Sequence, residues 1–132
     1  MKILENEDLG KLILRITVAS LMLFHGYEKI IHGIGSVEGA LVNAGLPAFI
    51  SYGSYIGEVI APVLLILGLK VRFSALMIIF TMLTAVVLTH ANDIFSITQY
   101  GAWVIEIQMF YMLSSLAIIF LGSGKYTINN IK

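Results

Sequence analysis

Residues 9–31 read LGKLILRITVASLMLFHGYEKII, and this stretch decides the fold class. It is mostly apolar over more than the about 20 residues a helix needs to cross a hydrocarbon core about 30 Å thick. Three further segments meet the same test: residues 49–69, 71–91 and 101–122. Leu, Ile, Met and Ala dominate them, and none shows the period-2 alternation of a transmembrane β-strand. The expected class is all-α: an integral membrane four-helix bundle forming one domain over residues 1–132. The connections carry turn residues. Gly33, Gly35, Gly39, Gly45 and Pro47 punctuate the first, and Lys70 and Arg72 mark a tight second. Asn92 and Asp93 open the third, while Gly122, Gly124 and Lys125 close the last helix.

Composition points the same way. Of the 132 residues, 58% are hydrophobic and 12% charged, so there is too little polar surface to cover a soluble globule. Intrinsic disorder is excluded by the same numbers. Eight basic and eight acidic residues give a formal net charge of zero, which argues against a nucleic-acid partner. There is no cysteine, so disulfides, thiolate nucleophiles and Cys-ligated clusters are ruled out. Residues 1–8 set Lys2 against Glu5, Glu7 and Asp8, unlike the basic start of a cleavable signal peptide.

Basic residues set the expected orientation. With four spans, Lys2, Lys11, Arg15, Lys70, Arg72, Lys125 and Lys132 fall on one side and only Lys29 toward the other. The positive-inside rule then puts both termini in the cytoplasm. Tyr100 and Trp103 stand near the outer end of the fourth span, as interfacial aromatics do.

Ionisable residues inside the spans carry the functional signal. The first span holds Arg15, His25, Glu28 and Lys29; the second Glu58, the third His90 and the fourth Glu106. Facing lipid, they would cost on the order of 10 kcal/mol together, so they are expected to face one another or a wet cavity. At about 1.5 Å per residue, His25, Lys29, Glu58, His90 and Glu106 all fall in the extracytoplasmic half. On a helical wheel Lys29 shares a stripe with His25 and Arg15, whereas Glu28 points away toward the interface. Arg15 lies deeper, free to snorkel inward or to pair with an acid or a backbone carbonyl. In the second span Gly53, Gly57 and Ala61 recur at every fourth position and permit close helix contact. Pro62 has no N–H, so the Glu58 carbonyl loses its usual helical partner at the depth of its own carboxylate. That arrangement builds either a polar pocket or a kink.

Plainer roles compete for several of these residues. Lys29 and Glu28 also suit snorkelling at the interface, and His90 and His32 suit loop positions. Glu58 and Glu106 lie away from the span ends and read as polar, non-lipid positions, with a purely structural buried network as the alternative. Met22, Met77, Met82, Met109 and Met112 read as packing and lipid contacts. Two carboxylates with two imidazoles and a lysine suit proton exchange and the binding of a small polar ligand. Metal binding through His25, His90, Glu58 and Glu106 is weakly signalled, because no HxxxH or ExxH spacing occurs; no metal is expected. No P-loop, GxGxxG fingerprint or nucleophile elbow is present.

Taken in order, these motifs resemble the DoxX family of small four-helix bacterial membrane proteins. The matching stretches are LILRITVASLMLFHGYEKI (residues 12–30), AGLP (44–47), GEVIAPVLLILGLKVRFSAL (57–76), GAWVIEIQMFYML (101–113) and GSGKY (122–126). The resemblance covers nearly the whole chain. It carries over Arg15, His25, Lys29, Glu58 and Glu106 as ligand-site positions, with His90 a looser match. Glu58 and Glu106 are the candidate proton-exchange residues. The tail departs from the family's Gly-Pro-Gly-Arg-Tyr ending at Ser123 and Lys125. Family members are linked to thiosulfate:quinone oxidoreductase and terminal quinol oxidase systems and to complexes that handle oxidative and thiol stress. The resemblance therefore implies a bacterial inner-membrane protein in the lipid bilayer, an accessory or quinone-interacting subunit of a membrane oxidoreductase. The redox centre would come from a partner. Two alternatives stand beside it: a small-solute or proton transporter, for which a homodimer is expected, and a non-catalytic assembly subunit. The sequence assigns no catalysis to the chain on its own.

Overall fold

The computed structural model describes residues 4–128; Lys2 and Lys132, used above for orientation, lie outside them. Among the described residues the protein is all-α, with no strand and one isolated β-bridge. Its helices are α1 (Glu7–His32), α2 (Gly35–Asn43), α3 (Ala48–Leu67), α4 (Val71–His90) and α5 (Glu106–Leu121). Helices α1, α3 and α4 are long and apolar enough to cross a membrane, and α5 is a shorter apolar helix. The chain is thus of the multi-pass membrane type.

Local chemistry explains where these helices begin and end. Asn6 caps α1 by accepting from the Leu9 N–H at 3.0 Å, with Glu7 and Asp8 in the first turn where acids suit the helix dipole. Helix α3 is not uniform. It opens as a 3₁₀ turn over Ala48–Tyr52, widens to a π turn over Ile56–Ile60, and resumes as α over Ala61–Leu67 with Pro62 in its first turn. The Pro62 ring removes an N–H and crowds the preceding turn, and the π turn lies immediately before it.

Three expectations need correction here. His32 is the last residue of α1 and not a loop residue, and the first connection contains a helix of its own, α2. The expected fourth span over 101–122 begins instead at Glu106. Gly101 takes φ +85°, outside the helical region, and closes a small hairpin. Thr98 donates to the Ala102 carbonyl at 2.6 Å, Val104 to that of Ser96 at 3.0 Å, and Ile97 pairs with Trp103. The backbone groups expected in the fourth helix's first turn are spent on this hairpin.

Helix α1 packs on α3 and α5, and α4 packs on α3 and α5, closing a ring of four. Their shared core is Val18, Ala19 and Met22 from α1, Ala61 and Leu65 from α3, Ala75, Ile78 and Met82 from α4, and Tyr111 and Ile118 from α5. Large apolar side chains such as Phe24, Phe80, Phe110 and Phe120 are exposed on the outside, as a lipid-facing surface requires.

Arg15 fastens one end of this ring. It is 1% exposed and uses four N–H donors on four carbonyls. Its Nε donates to Leu65 O at 3.0 Å and its Nη2 to Ile66 O at 3.3 Å, at the C-terminal end of α3. Its Nη1 donates to Ser123 O at 2.6 Å and Tyr126 O at 2.9 Å, in the tail beyond α5. A cation at a helix C-terminus also meets the negative end of the dipole. Replacing Arg15 by Met should lower unfolding stability in detergent by about 3 kcal/mol or more, since four carbonyls, two of them in buried bonds, lose a charged donor. Denaturant titration followed by circular dichroism reads this directly, and a loss below about 1 kcal/mol would contradict the assigned role.

Candidate functional site

At the end of the ring away from Arg15, a cleft of about 450 Å³ opens among α1, α2, α3, α4 and α5. That volume lies in the range of small-molecule sites. Its walls are mainly apolar, with Ile50, Ile56, Met77, Phe80, Met82 and Leu88 among them. Ile50, Ile56 and Phe80 are themselves exposed, so the mouth is flanked by apolar side chains of the lipid-facing kind. Helix α2 contributes Ser36, Val37, Ala40 and Leu41.

The cleft's charged feature is one ion pair. Lys29 Nζ stands 3.1 Å from Glu58 Oε1, with the two side chains 16% and 6% exposed. Each group compensates a charge that would be costly alone at this depth. The pair depends on close approach of α1 and α3. Gly26 lies against the Glu58 backbone, and a Cβ there would overlap the Glu58 carbonyl and crowd Val59. Gly57 does the same toward α4, where a Cβ would overlap the Thr81 hydroxyl. Of the pocket and the kink posed as alternatives for Pro62, the polar pocket is present, and the backbone before the proline is widened into a π turn. The π turn and the Glu58 carbonyl against Gly26 belong to one local structure.

Other polar groups converge on the same space. His25 lines the cleft and meets the Tyr111 ring edge-on, with centroids 5.8 Å apart and planes at 82°. Tyr55 OH reaches the Lys29 carbonyl at 3.5 Å. Gln108 lines the cleft with its Oε1 buried and without a hydrogen-bond partner among the described residues. A buried, unmatched amide oxygen is costly and invites a donor from a ligand or water.

The residues singled out from sequence thus divide. His25, Lys29 and Glu58 come together in the cleft. Arg15 does not join them; it is bound to carbonyls at the other end of α1. His90 does not line the cleft and pairs instead with Asp93, Nδ1 to Oδ1 at 3.2 Å. Glu106 is exposed and opens α5, where an acid suits the helix N-terminus, because the hairpin displaced the turn that would have carried it inward. Glu28 pairs with His32 at 3.6 Å on the exposed side of α1. Among the described residues no three His, Asp or Glu side chains gather as a metal site. Sequence reading passed over Gln108 and Tyr111. Their signal was present: an amide and a phenol at i and i+3 in the apolar run IEIQMFYML fall on one helix face.

The DoxX family model matches residues 10–91, more than half of the chain, and the chain belongs to the DoxX family. The match includes Arg15, His25, Lys29 and Glu58; α5 lies beyond it. No curated protein and no solved structure matches the chain.

The close approach at Gly26 gives a paired prediction. Gly26→Ala should destabilise the protein by about 1–3 kcal/mol, because the methyl group meets backbone and cannot be accommodated by a rotamer change. Gly10→Ala, where no atom lies within 4 Å of the new Cβ, should be neutral or stabilising by up to about 1 kcal/mol. Melting temperatures of the two variants in one detergent check it; equal shifts would contradict the packing described.

Proposed function

We propose that this DoxX-family chain is a four-span bundle in a bacterial inner membrane with both termini cytoplasmic. It serves there as a quinone-interacting subunit of a membrane oxidoreductase. The observation that carries this reading is the composition of the cleft. A buried Lys29–Glu58 pair and an unpartnered Gln108 oxygen sit within mainly apolar walls whose mouth is flanked by exposed Ile50, Ile56 and Phe80. A planar head group with two polar oxygens and an apolar tail fits that mixture, and a lipid-facing mouth suits a ligand dissolved in the bilayer. The α5 helix, about 24 Å long at 1.5 Å per residue, crosses with the help of the preceding hairpin.

A quinone, when bound, supplies two-electron, two-proton redox chemistry, with the electrons drawn from a partner protein. The chain's own groups bind and handle protons. Lys29 donates to a carbonyl oxygen, and Glu58 holds and exchanges a proton at its carboxylate. Gln108 orients a hydroxyl by accepting from it, and Tyr111 with His25 forms the polar edge leading outward. The apolar walls exclude water from this exchange. Glu106 has no part in it, being outside the cleft.

The test is thermal unfolding of the purified protein with a short-chain quinone. Saturating ligand at about 100 times its Kd should stabilise the native state by about 2.7 kcal/mol. The double variant Lys29→Met/Glu58→Gln removes both charges and leaves no orphan ion, so it should fold; it should lose the ligand-dependent shift. A full shift in that variant, or none in the folded native protein across a quinone panel, would overturn the reading.

A further inference from the structure

A second polar cavity lies at the Arg15 end of the molecule, about 240 Å³ in volume and remote from the Lys29–Glu58 cleft. It is lined by Asp8 and Lys11 of α1, Val71 and Arg72 at the start of α4, and residues 121–125 beyond the core of α5. This is the GSGKY segment, to which the quinone reading gives no task. From these elements we infer that the cavity is a phosphate-binding site, suited to the head group of an anionic phospholipid.

Charge is the first argument. Lys11, Arg72 and Lys125 converge there with a single carboxylate, Asp8. Among the described residues none of the three cations is in an ion pair, and Asp8 is occupied by the Lys125 backbone N–H at 3.1 Å. The site therefore holds an excess of positive charge with donors to spare. Arg72 spends its Nε on the Ile119 carbonyl at 2.8 Å, which fixes the guanidinium while its terminal nitrogens face Gly122.

Backbone shape is the second. Gly122 and Gly124 take φ +77° and +72°, and the loop is wedged between two of the cations. A Cβ on Gly122 would stand 2.9 Å from Arg72 Nη2, and one on Gly124 3.2 Å from Asp8 Oδ1 and 3.3 Å from the Lys11 stem. The Ser123 carbonyl points inward to Arg15. In a trans peptide the N–H lies opposite the carbonyl, so the Gly124 N–H faces away from Arg15. The Gly122 and Lys125 N–H groups are spent on Ile118 O and Asp8 Oδ1, which leaves the Gly124 N–H, beside the fixed Arg72 guanidinium and the two lysines, to meet a phosphate oxygen. The α4 N-terminus adjoins it with no side-chain cap from Lys70.

The test uses the full chain in detergent, titrated separately with phosphatidylglycerol, phosphatidylcholine and inorganic phosphate while the melting temperature is followed. A saturable rise is expected with phosphatidylglycerol and not with phosphatidylcholine. A rise with inorganic phosphate as well would assign the site to free phosphate species; its absence would assign it to lipid. In the Lys11→Gln/Lys125→Gln variant the ammonium groups removed make no hydrogen bond among the described residues, Lys125 Nζ lying 5.3 Å over the Tyr126 ring; it should bind about tenfold or more weakly. Asp8→Asn keeps the acceptor for Lys125 and should bind more tightly, an effect that a purely structural Asp8 would not produce. No saturable rise with either anionic probe, an equal rise with phosphatidylcholine, or unchanged affinity in the double lysine variant would overturn the proposal.

Discussion

The Lys29–Glu58 ion pair is the constraint from which the outer part of this molecule follows. Two opposite charges on neighbouring apolar helices are tolerable only when held together, because either alone would stand in a medium that solvates it poorly. Beside the pair, held at 3.1 Å, α1 and α3 approach more closely than a side chain at Gly26 would allow. Gly26 provides that approach on α1, and the widened turn of α3 brings the Glu58 backbone against it. The π turn, the proline after it and the two contact glycines thus serve one purpose. They place a charged pair at the wall of an apolar cleft.

The opposite end is built on a different interaction. Among the described residues Arg15 has no carboxylate partner, and it gathers carbonyls from the end of α3 and from the tail. This ties the C-terminal segment to the first helix at the end where α3 and α4 are joined by a short turn. Arg15 itself is therefore spent on the fold, while the cleft end keeps a buried amide oxygen without a partner among the described residues and an exposed histidine. Unspent hydrogen-bonding capacity in the cleft is available to a ligand, whereas Arg15, with its donors on four carbonyls, fastens the fold.

Much of this was legible in the sequence, because the strongest signals are local. Hydrophobic length located the long spans, and the cost of burying Glu58 predicted that it would find a partner. Pro62 announced disturbed backbone beside it, and Gly57 announced close contact. What sequence could not carry was distance between helices. Arg15, His25 and Lys29 share a helical stripe, yet ten residues of rise separate Arg15 from His25, so a common face did not mean a common site. Glu106 was misplaced for a different reason. Apolar content continues through residues 101–105, but Gly101 and the β-branched residues around it favour a hairpin, and that moved the helix start to the glutamate itself. Helix α2 was hidden by its glycines, which read as a loop. Packing against the start of α3 lets it form despite them.

The central claim is that the Lys29–Glu58 cleft receives an amphiphilic quinone from the bilayer. Photolabelling in reconstituted membranes addresses it most directly: a photoreactive quinone is irradiated on the folded protein and the labelled peptides are mapped by mass spectrometry. The account predicts label on residues 25–29, 50–58 or 77–88, displaced by excess unlabelled quinone. Displaceable label confined to the Arg15 end, or no displaceable label on the folded protein, would contradict it.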